Sequence, residues 1–372
     1  MAESGLDRVK RHGHLWERLC SFEALLEAAE QARRGKRFRP GVAAFHFHLE
    51  PALCRLVREL ASGTWEPGPY RQFVIHQPKR RVISAAPYRD RVVHHALVNV
   101  LEPIFERTFI ADSFACRRGK GTHAAVRRCR KFARRSRYVL KADIKKFFPS
   151  VDHEIAKRLV ARKIKDRRVL ALLGQIIDSS SGQEPVIDWF PGDDLFTPLG
   201  RRRGIPIGNQ TSQFLANVYL DPLDHFVKER LGAKGYVRYV DDFLVFSDDK
   251  AQLGEFRRAI AGFLHGLRLR LHPRKNVIAP VADGIRFVGY RVFPSHVLLP
   301  KENVRRFLRR ARRMQADYAG GAIDAAEVKT RLMSWLGHAR QADTHRLRER
   351  LLATLSFRRA AVGPPCAARR LV

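Results

Sequence analysis

An α+β fold is predicted by the way strand-like and helix-like patterns mix along this chain. Short runs of period-two hydrophobicity are scattered among longer runs of helical period, and no βαβ rhythm links them. The 372 residues, 45% of them hydrophobic, suffice for one large body or two or three packed subdomains. Residues 15–31, LWERLCSFEALLEAAEQ, have helical apolar spacing and stop before a basic, glycine-containing run. A second helix is expected over 49–62, followed by turns at Gly63–Pro69. The alternating runs Tyr70–Gln77 and Arg81–Ala85, joined by Pro78-Lys79-Arg80, predict a hairpin with a basic tip. Residues 88–107 predict a helix with a break near Pro103. No internal repeat or low-complexity linker interrupts the pattern.

Charge narrows the function. Lys and Arg outnumber Asp and Glu by 71 to 37, a formal net charge of +34. The excess runs from Arg33-Arg34-Gly35-Lys36-Arg37 through 127–137 and Arg201–Arg203 to 305–313, so it is neither one tail nor one face. A polyanion is the expected partner, because each Lys or Arg that neutralises a phosphate releases a counterion. A membrane partner is not expected, since there is no long apolar run, signal peptide or lipidation motif. The five cysteines, Cys20, Cys54, Cys116, Cys129 and Cys366, are scattered without paired short spacing. They read as reduced cytosolic thiols, with no structural metal. His46/His48 and His94/His95 lack a Cys or carboxylate at ligand spacing and are assigned no metal either.

Against this basic background, YVRYVDDFLVFSDD (236–249) concentrates acid. Tyr236–Val240 and Phe243–Ser247 favour strands, separated by Asp241 and Asp242. Asp tolerates the positive φ of a two-residue turn, so turn chemistry and function explain the pair equally well. Asp248-Asp249 reads as a solvated turn. A second segment, YVLKADIKKFF (138–148), tilts the balance: Asp143 ends a strand-favouring run. Should the strands lie side by side, their carboxylates converge at one sheet edge and repel unless a hard cation such as Mg²⁺ neutralises them. Two such ions, roughly 3.5–4 Å apart, stabilise the attacking and leaving oxygens of a phosphoryl displacement. A third segment, GIPIGNQTSQFLAN (204–217), offers Gly204 and Gly208 for close backbone approach and a polar run before an apolar helix. Capping alone accounts for Ser212, but the full run suits recognition of a nucleotide or template. GKGT (119–122) lacks the earlier glycine of a phosphate loop, and nucleotide hydrolysis is rejected.

These segments together resemble a reverse transcriptase, from residue 60 onward. RRVISAAPYRDRVVHHAL resembles the fingers motif that contacts the incoming triphosphate, and SFACRRGKGTHAA the motif that follows it. KADIKKFFPSVDH resembles the first palm carboxylate motif, GIPIGNQTSQFLANVYLDPLD the template-and-nucleotide helix, and YVDD the second carboxylate motif. LRLRLHPRKN resembles the lysine-bearing segment and FVGY (287–290) the primer-grip hairpin. The resemblance implies a right-hand polymerase with fingers, an antiparallel palm sheet and a helical thumb. It divides the chain into a basic helical N-terminal extension (1–60), fingers and palm (61–295) and a basic helical thumb and C-terminal region (296–372).

Residue roles follow from the same resemblance. Asp143 and Asp241 are the expected ligands of two Mg²⁺ ions (Mn²⁺ as the alternative), Asp242 completes the cluster, and Ile144 lends a carbonyl. Phe148 is the expected gate against a ribose 2′-hydroxyl, with Phe147 the core member of the pair. Arg81, whose guanidinium is a planar fork of donors, is the candidate triphosphate clamp, assisted by Lys79. Lys275 matches a proton donor to pyrophosphate, and equally an ordinary surface lysine. Gly208, Ile207 and Gln213 are assigned to the nucleotide. Arg305, Arg306, Arg309, Arg310, Arg312 and Arg313 cannot all face one way at helical spacing; some are solvated and the rest track the primer–template backbone.

Ile207 before the glycine and Gln213 after Ser212 replace the glutamine and proline of most families. This variant resembles reverse transcriptases of diversity-generating retroelements, which copy a template RNA inaccurately at adenines and rewrite a target gene by mutagenic retrohoming. SWLGHARQADTHRL and FVGYRVFPSHVLLPK also resemble that group. Losing a polar contact at Ile207 would relax discrimination. The implied partners are template RNA, a cDNA or primer strand, deoxynucleoside triphosphates and a small basic accessory protein, in the cytoplasm of a bacterial or phage-infected cell. No RNase H segment is found, and the length leads one to expect no maturase-plus-endonuclease arrangement. The alternatives are a retron, group II intron-like or phage-defence enzyme, and a non-catalytic basic RNA-binding scaffold.

Overall fold

The computed structural model describes residues 10–76, 80–180 and 188–359. The helix expected over 15–31 is two helices, α1 (Trp16–Cys20) and α2 (Phe22–Arg33). Ser21 breaks it by adopting extended backbone, and its hydroxyl accepts from Ala24 N at 3.1 Å to cap α2. Next come α3 (Pro40–Phe47) and α4 (Leu49–Ser62), the latter ended by Gly63 in the left-handed region at φ 74°. The expected hairpin forms from β1 (Arg71–Ile75) and β2 (Arg81–Ala85), with Ile75 opposite Arg81. Residues 77–79 of its tip, Lys79 among them, lie outside the described residues.

Helix α5 (Tyr88–Glu106) runs through Pro103 without the expected break. Pro103 stands in the last turn, where few hydrogen bonds remain to lose, and Val92, Leu97, Leu101 and Phe105 stay buried on either side. The chain continues through α6 (Thr122–Ala133), β3 (Tyr138–Asp143), α7 (Phe147–Ser150), α8 (His153–Ala161), α9 (Arg167–Asp178), α10 (Thr197–Gly200) and α11 (Gln210–His225). The hairpin β4 (Gly235–Tyr239) and β5 (Asp242–Ser247) leads to α12 (Lys250–Gly266) and β6 (Val277–Pro280). Asp249 caps α12 through Ala251 N and Asp248 accepts from Arg137 N, so the expected solvated turn is a helix cap and a tether. Three short strands, β7 (Ile285–Phe287), β8 (Tyr290–Val292) and β9 (Val297–Leu298), precede the helices α13 (Lys301–Ala319), α14 (Ala325–Ala339) and α15 (His345–Ala353).

The central sheet is antiparallel in the order β4-β5-β3-β6. Alternation along the strands separates two cores. Leu140, Ala142, Tyr236, Phe243 and Val245 join a core with α5, α8, α9, α11, α12 and the N-terminal helices. Val139, Val237, Leu244 and Phe246 face the other way, against α6 and the β7-β8-β9 sheet. A third cluster, around Phe307, Ala311, Met314 and Leu351, holds α13–α15 together. Arg306, Arg310 and Arg313 share one side of α13 and line a groove of about 890 Å³ against α14, while Arg305, Arg309 and Arg312 lie on the other side.

Besides core packing, one carboxylate ties the N-terminal helices to this body. Asp166 caps α9 through Arg168 N and Val169 N, and its other oxygen accepts from Leu15 N (2.9 Å) and Trp16 N (3.0 Å). Burial alone would raise its pKa, but the four backbone donors outweigh burial and hold it below 3.8. Because the folded value is depressed, the stabilisation is complete above 3.8 and is lost as pH falls through the folded pKa. Asp166→Ala should therefore cost about 1–3 kcal/mol at pH 7. In urea denaturation the difference from wild type should shrink as pH falls below 4 or so.

Candidate active site

The β4–β5 hairpin turns through Val240 and Asp241, with Tyr239 opposite Asp242. Sequence reasoning put both aspartates in the turn and the positive φ on an aspartate; the structure differs. Asp242 is the first residue of β5, and the left-handed residue is Val240, at φ 56°. A β-branched residue there is strained, so other contacts must hold it. Arg238 Nη1 donates to Val240 O at 3.2 Å and Ile144 N donates to Asp241 O at 3.1 Å. The register then sets Asp143 directly opposite Asp242. Directly opposed residues share one face of a sheet, so the strands do lie side by side and their carboxylates meet at its end.

Next to β3, the 270–272 segment adds a short antiparallel pairing: Lys145 N donates to Arg270 O and His272 N to Asp143 O. This delivers Lys275, whose Nζ lies 2.9 Å from Asp143 Oδ1. Lys141 Nζ stands 3.6 Å from Asp242 Oδ2, but Asp242 Oδ1 is buried with no hydrogen-bond partner. Burial, then the charges of Asp143 and Asp241, push Asp242 up to about 6 against the pull of Lys141. Asp241 is also raised, by burial first and by Asp143, while Lys275 and Arg81 pull it down. Arg81 is exposed at the start of β2, near enough for its charge to act on Asp241.

The residues fit a hard divalent cation. An orphaned carboxylate oxygen, and the Asp241 and Asp242 carboxyls raised by burial and then by repulsion, are relieved by one. Among the described residues, no three Asp, Glu, His or Cys side chains are gathered at metal-holding spacing. Mg²⁺ does not require that, since it is commonly held by one or two carboxylates together with substrate phosphates and water.

Beside the carboxylates, Phe147 is buried and Phe148 half-buried, their rings edge to face at 5.4 Å. Ile205 N donates to Phe148 O at 2.9 Å, bringing the loop before α11 alongside. Gly208 has φ 119°, and a Cβ there would come 3.0 Å from Ile83 Cγ2, so only glycine lets this loop meet β2. Ile207 is half-buried beside it, its carbonyl accepting from Ser84 N, and Gln213 is exposed on the first turns of α11.

Most of the polar run read as ligand recognition has structural work. Asn209 is buried, receives Ala86 N on its Oδ1 and donates from Nδ2 to Ser84 O, both at 3.3 Å. Thr211, Ser212 and Asn217 are buried as well. Asn209 occupies the cap position of α11, yet its side chain makes no capping bond. Sequence reasoning also passed over Lys141, Asn276, whose Oδ1 accepts from Asp143 N at 3.4 Å, and the buried pair Arg238–Asp224. Arg238 was detectable as the one charged residue inside an otherwise apolar and aromatic strand run; Asp224 gave no such signal.

Residues 75–292 match the family described as reverse transcriptase (RNA-dependent DNA polymerase), more than half of the chain. The chain belongs to that family, and its fold is the right-hand polymerase fold. It is 30% identical to Protein YkfC of Escherichia coli K12, over 63% of this chain and 69% of that one. It is 26% identical to the group II intron-encoded protein LtrA of Lactococcus lactis, over 48% of this chain but 28% of LtrA. Among solved structures, apo telomerase from Candida tropicalis aligns with a TM-score of 0.46 at 12% identity, covering 65% of this chain and 59% of that one. Among the described residues, no helix is long and apolar enough to cross a membrane.

The contrast between Asn209 and Gln213 is measurable. Asn209→Ala leaves Ala86 N and Ser84 O without their partner and should cost about 1–3 kcal/mol in urea denaturation. Gln213→Ala, at an exposed position, should stay within about 0.5 kcal/mol of wild type.

Proposed function

We propose that this chain is an RNA-directed DNA polymerase acting by two-metal-ion nucleotidyl transfer, of the diversity-generating type. The observation that carries the polymerase reading is the pairing of Asp143 with Asp242 beside the pinned Val240–Asp241 turn. Two bound Mg²⁺ ions, or Mn²⁺, would polarise the attacking and leaving oxygens at that end of the sheet. Asp143 and Asp241 hold them, Asp242 completes the cluster and Ile144 presents its carbonyl. Arg81 clamps the triphosphate with its fork of donors, and Lys79 assists. Lys275, already beside Asp143, carries a proton for the departing pyrophosphate. Phe148 closes the space a 2′-hydroxyl would need, and Gly208 lets the backbone approach the nucleotide. The groove between α13 and α14, with Arg306 and Arg313 on its wall, suits the primer–template backbone.

Ile207 supports the diversity-generating subtype, since an apolar side chain discriminates bases less strongly than a hydrogen-bonding one, and Gln213 completes the variant pattern. In this reading a structured template RNA and a small basic accessory protein complete the system. With a net charge of +34 on the polymerase, the RNA, or acidic patches on the accessory protein, must hold the two together. A group II intron-like enzyme is the second reading, supported by the likeness to LtrA.

Primer extension on an RNA template with Mg²⁺ and the four deoxynucleotides tests both readings. Extension should be lost in the Asp241→Asn/Asp242→Asn double variant, and errors should concentrate opposite template adenine. Accurate extension would favour the intron-like reading. No extension by wild type, with native RNA and accessory protein supplied, would refute the polymerase. A separate expectation concerns the sugar: Phe148→Ala should lower the preference for dNTP over rNTP, measured as a ratio of kcat/KM, by about tenfold or more.

A further inference from the structure

A fully buried ion pair that the chemistry above leaves unused lies behind the Val240–Asp241 turn. Arg238 and Asp224 are both fully buried. Arg238 Nε reaches Asp224 Oδ1 at 2.7 Å and Nη2 reaches Oδ2 at 2.6 Å, a bidentate fork. Tyr236, two residues earlier on the same face of β4, donates its hydroxyl to Asp224 Oδ1 at 2.8 Å. The remaining arm, Nη1, points along the strand to Val240 O at 3.2 Å and to Asn217 Oδ1 at 3.4 Å. Asn217 Nδ2 in turn holds Ala115 O at 2.9 Å. The backbone of Arg238 is fixed on its outer edge, its N–H to Asp112 O and its carbonyl to Phe114 N.

Stability alone does not account for this arrangement. Replacing a buried ion pair by apolar side chains of similar volume is commonly neutral or stabilising. What an apolar side chain cannot do is donate to Val240 O. That carbonyl belongs to the strained residue of the turn, and the next one, Asp241 O, is held from the opposite side by Ile144 N. Lysine cannot replace the fork, because it offers a single point charge on a flexible stem.

We propose that Arg238, oriented by Asp224, is a positioning residue that sets the Val240–Asp241 backbone and thereby the placement of the Asp241 and Asp242 carboxylates. The proposal rests on the polymerase reading for its kinetic consequence, but not for its effect on ion binding.

The test compares wild type with Arg238→Met/Asp224→Leu/Tyr236→Phe, which removes the polar network and keeps its bulk. Melting temperature, primer–template affinity, KM for dNTP, kcat and Mn²⁺ affinity by electron paramagnetic resonance are measured, with rates taken where all proteins are folded. The triple variant should keep its Tm within about 5 °C of wild type. Its primer–template affinity and KM should stay within about threefold, while kcat falls about tenfold or more and Mn²⁺ binds about fivefold or more weakly. A triple variant that retains kcat and Mn²⁺ affinity within about threefold of wild type, alongside the Tm, would overturn the proposal. Arg238→Lys, which keeps the charge and loses the fork, is read on the same two quantities and decides the matter if the triple variant does not fold. Wild-type protein that extends no primer would refute the polymerase reading separately; Mn²⁺ affinity then decides the positioning role alone, and an unchanged value overturns it.

Discussion

The buried contact between Arg238 and Asp224 is the constraint on which the site depends. It joins α11 to β4, and through Asn217 it reaches the 112–115 segment that borders β4 on its outer side. Each of those elements is also pinned by packing: Tyr219 and Leu220 on α11 and Tyr236 and Val237 on β4 are buried in the two cores. A charge pair in that setting is poorly tolerated unless both partners are fully hydrogen-bonded. Here Asp224 accepts from three donors and Arg238 uses three nitrogens, so the desolvation is largely offset and the geometry has little freedom.

From that anchor the electrostatics of the site become consistent. A chain with a net charge of +34 would be expected to neutralise its acids, and elsewhere it does so generously. Asp152 meets Arg268 and Arg201, and Asp188 meets Lys145 and Arg270. At the sheet end the supply is thinner. Lys275 reaches Asp143 and Lys141 stands 3.6 Å from one oxygen of Asp242, leaving the other oxygen buried and bare. Burial, together with repulsion among the carboxylates, pushes Asp241 and Asp242 toward protonation, a state that a divalent cation relieves and a surface salt bridge would not.

Much of this was legible before the structure. The strand ending at Asp143, the hairpin carrying Asp241 and Asp242, and the helix over 49–62 follow from period-two and period-3.6 patterns with strong turn or cap signals. Phe147 is buried, as expected of the core member of the pair, and Phe148 is half-buried against the same core. What was not legible depends on distance in sequence. Asn209 sits among polar residues that look like a ligand-binding run, and only the arrival of β2, more than 120 residues earlier, shows that its amide is spent on the backbone. The break at Ser21 was obscured because Leu15 and Leu19 before it and Phe22, Leu25, Leu26 and Ala29 after it keep one continuous apolar period. Pro103 failed to break α5 because tertiary burial overrode a local preference.

The turns carry the same lesson to its end. Two hairpins, β4–β5 and β7–β8, each close through two residues, Val240-Asp241 and Val288-Gly289. In both, the first residue is a valine at positive φ, 56° and 39°, where local chemistry would favour glycine or asparagine. Neither turn is stable by local preference, so each must be held from outside. Val240 is held by the arginine behind it. The second turn is held by α13 and α14: Asn303 Nδ2 donates to Gly289 O at 3.1 Å, and Tyr290 hydroxyl donates to His338 O at 3.0 Å. A glycine at either position would remove the strain and, with it, the requirement that these distant elements be in place before the tip adopts its conformation. The valines therefore tie the shape of each tip to the assembled molecule: the Val240–Asp241 turn to the body beneath it, and the second hairpin to the C-terminal helices.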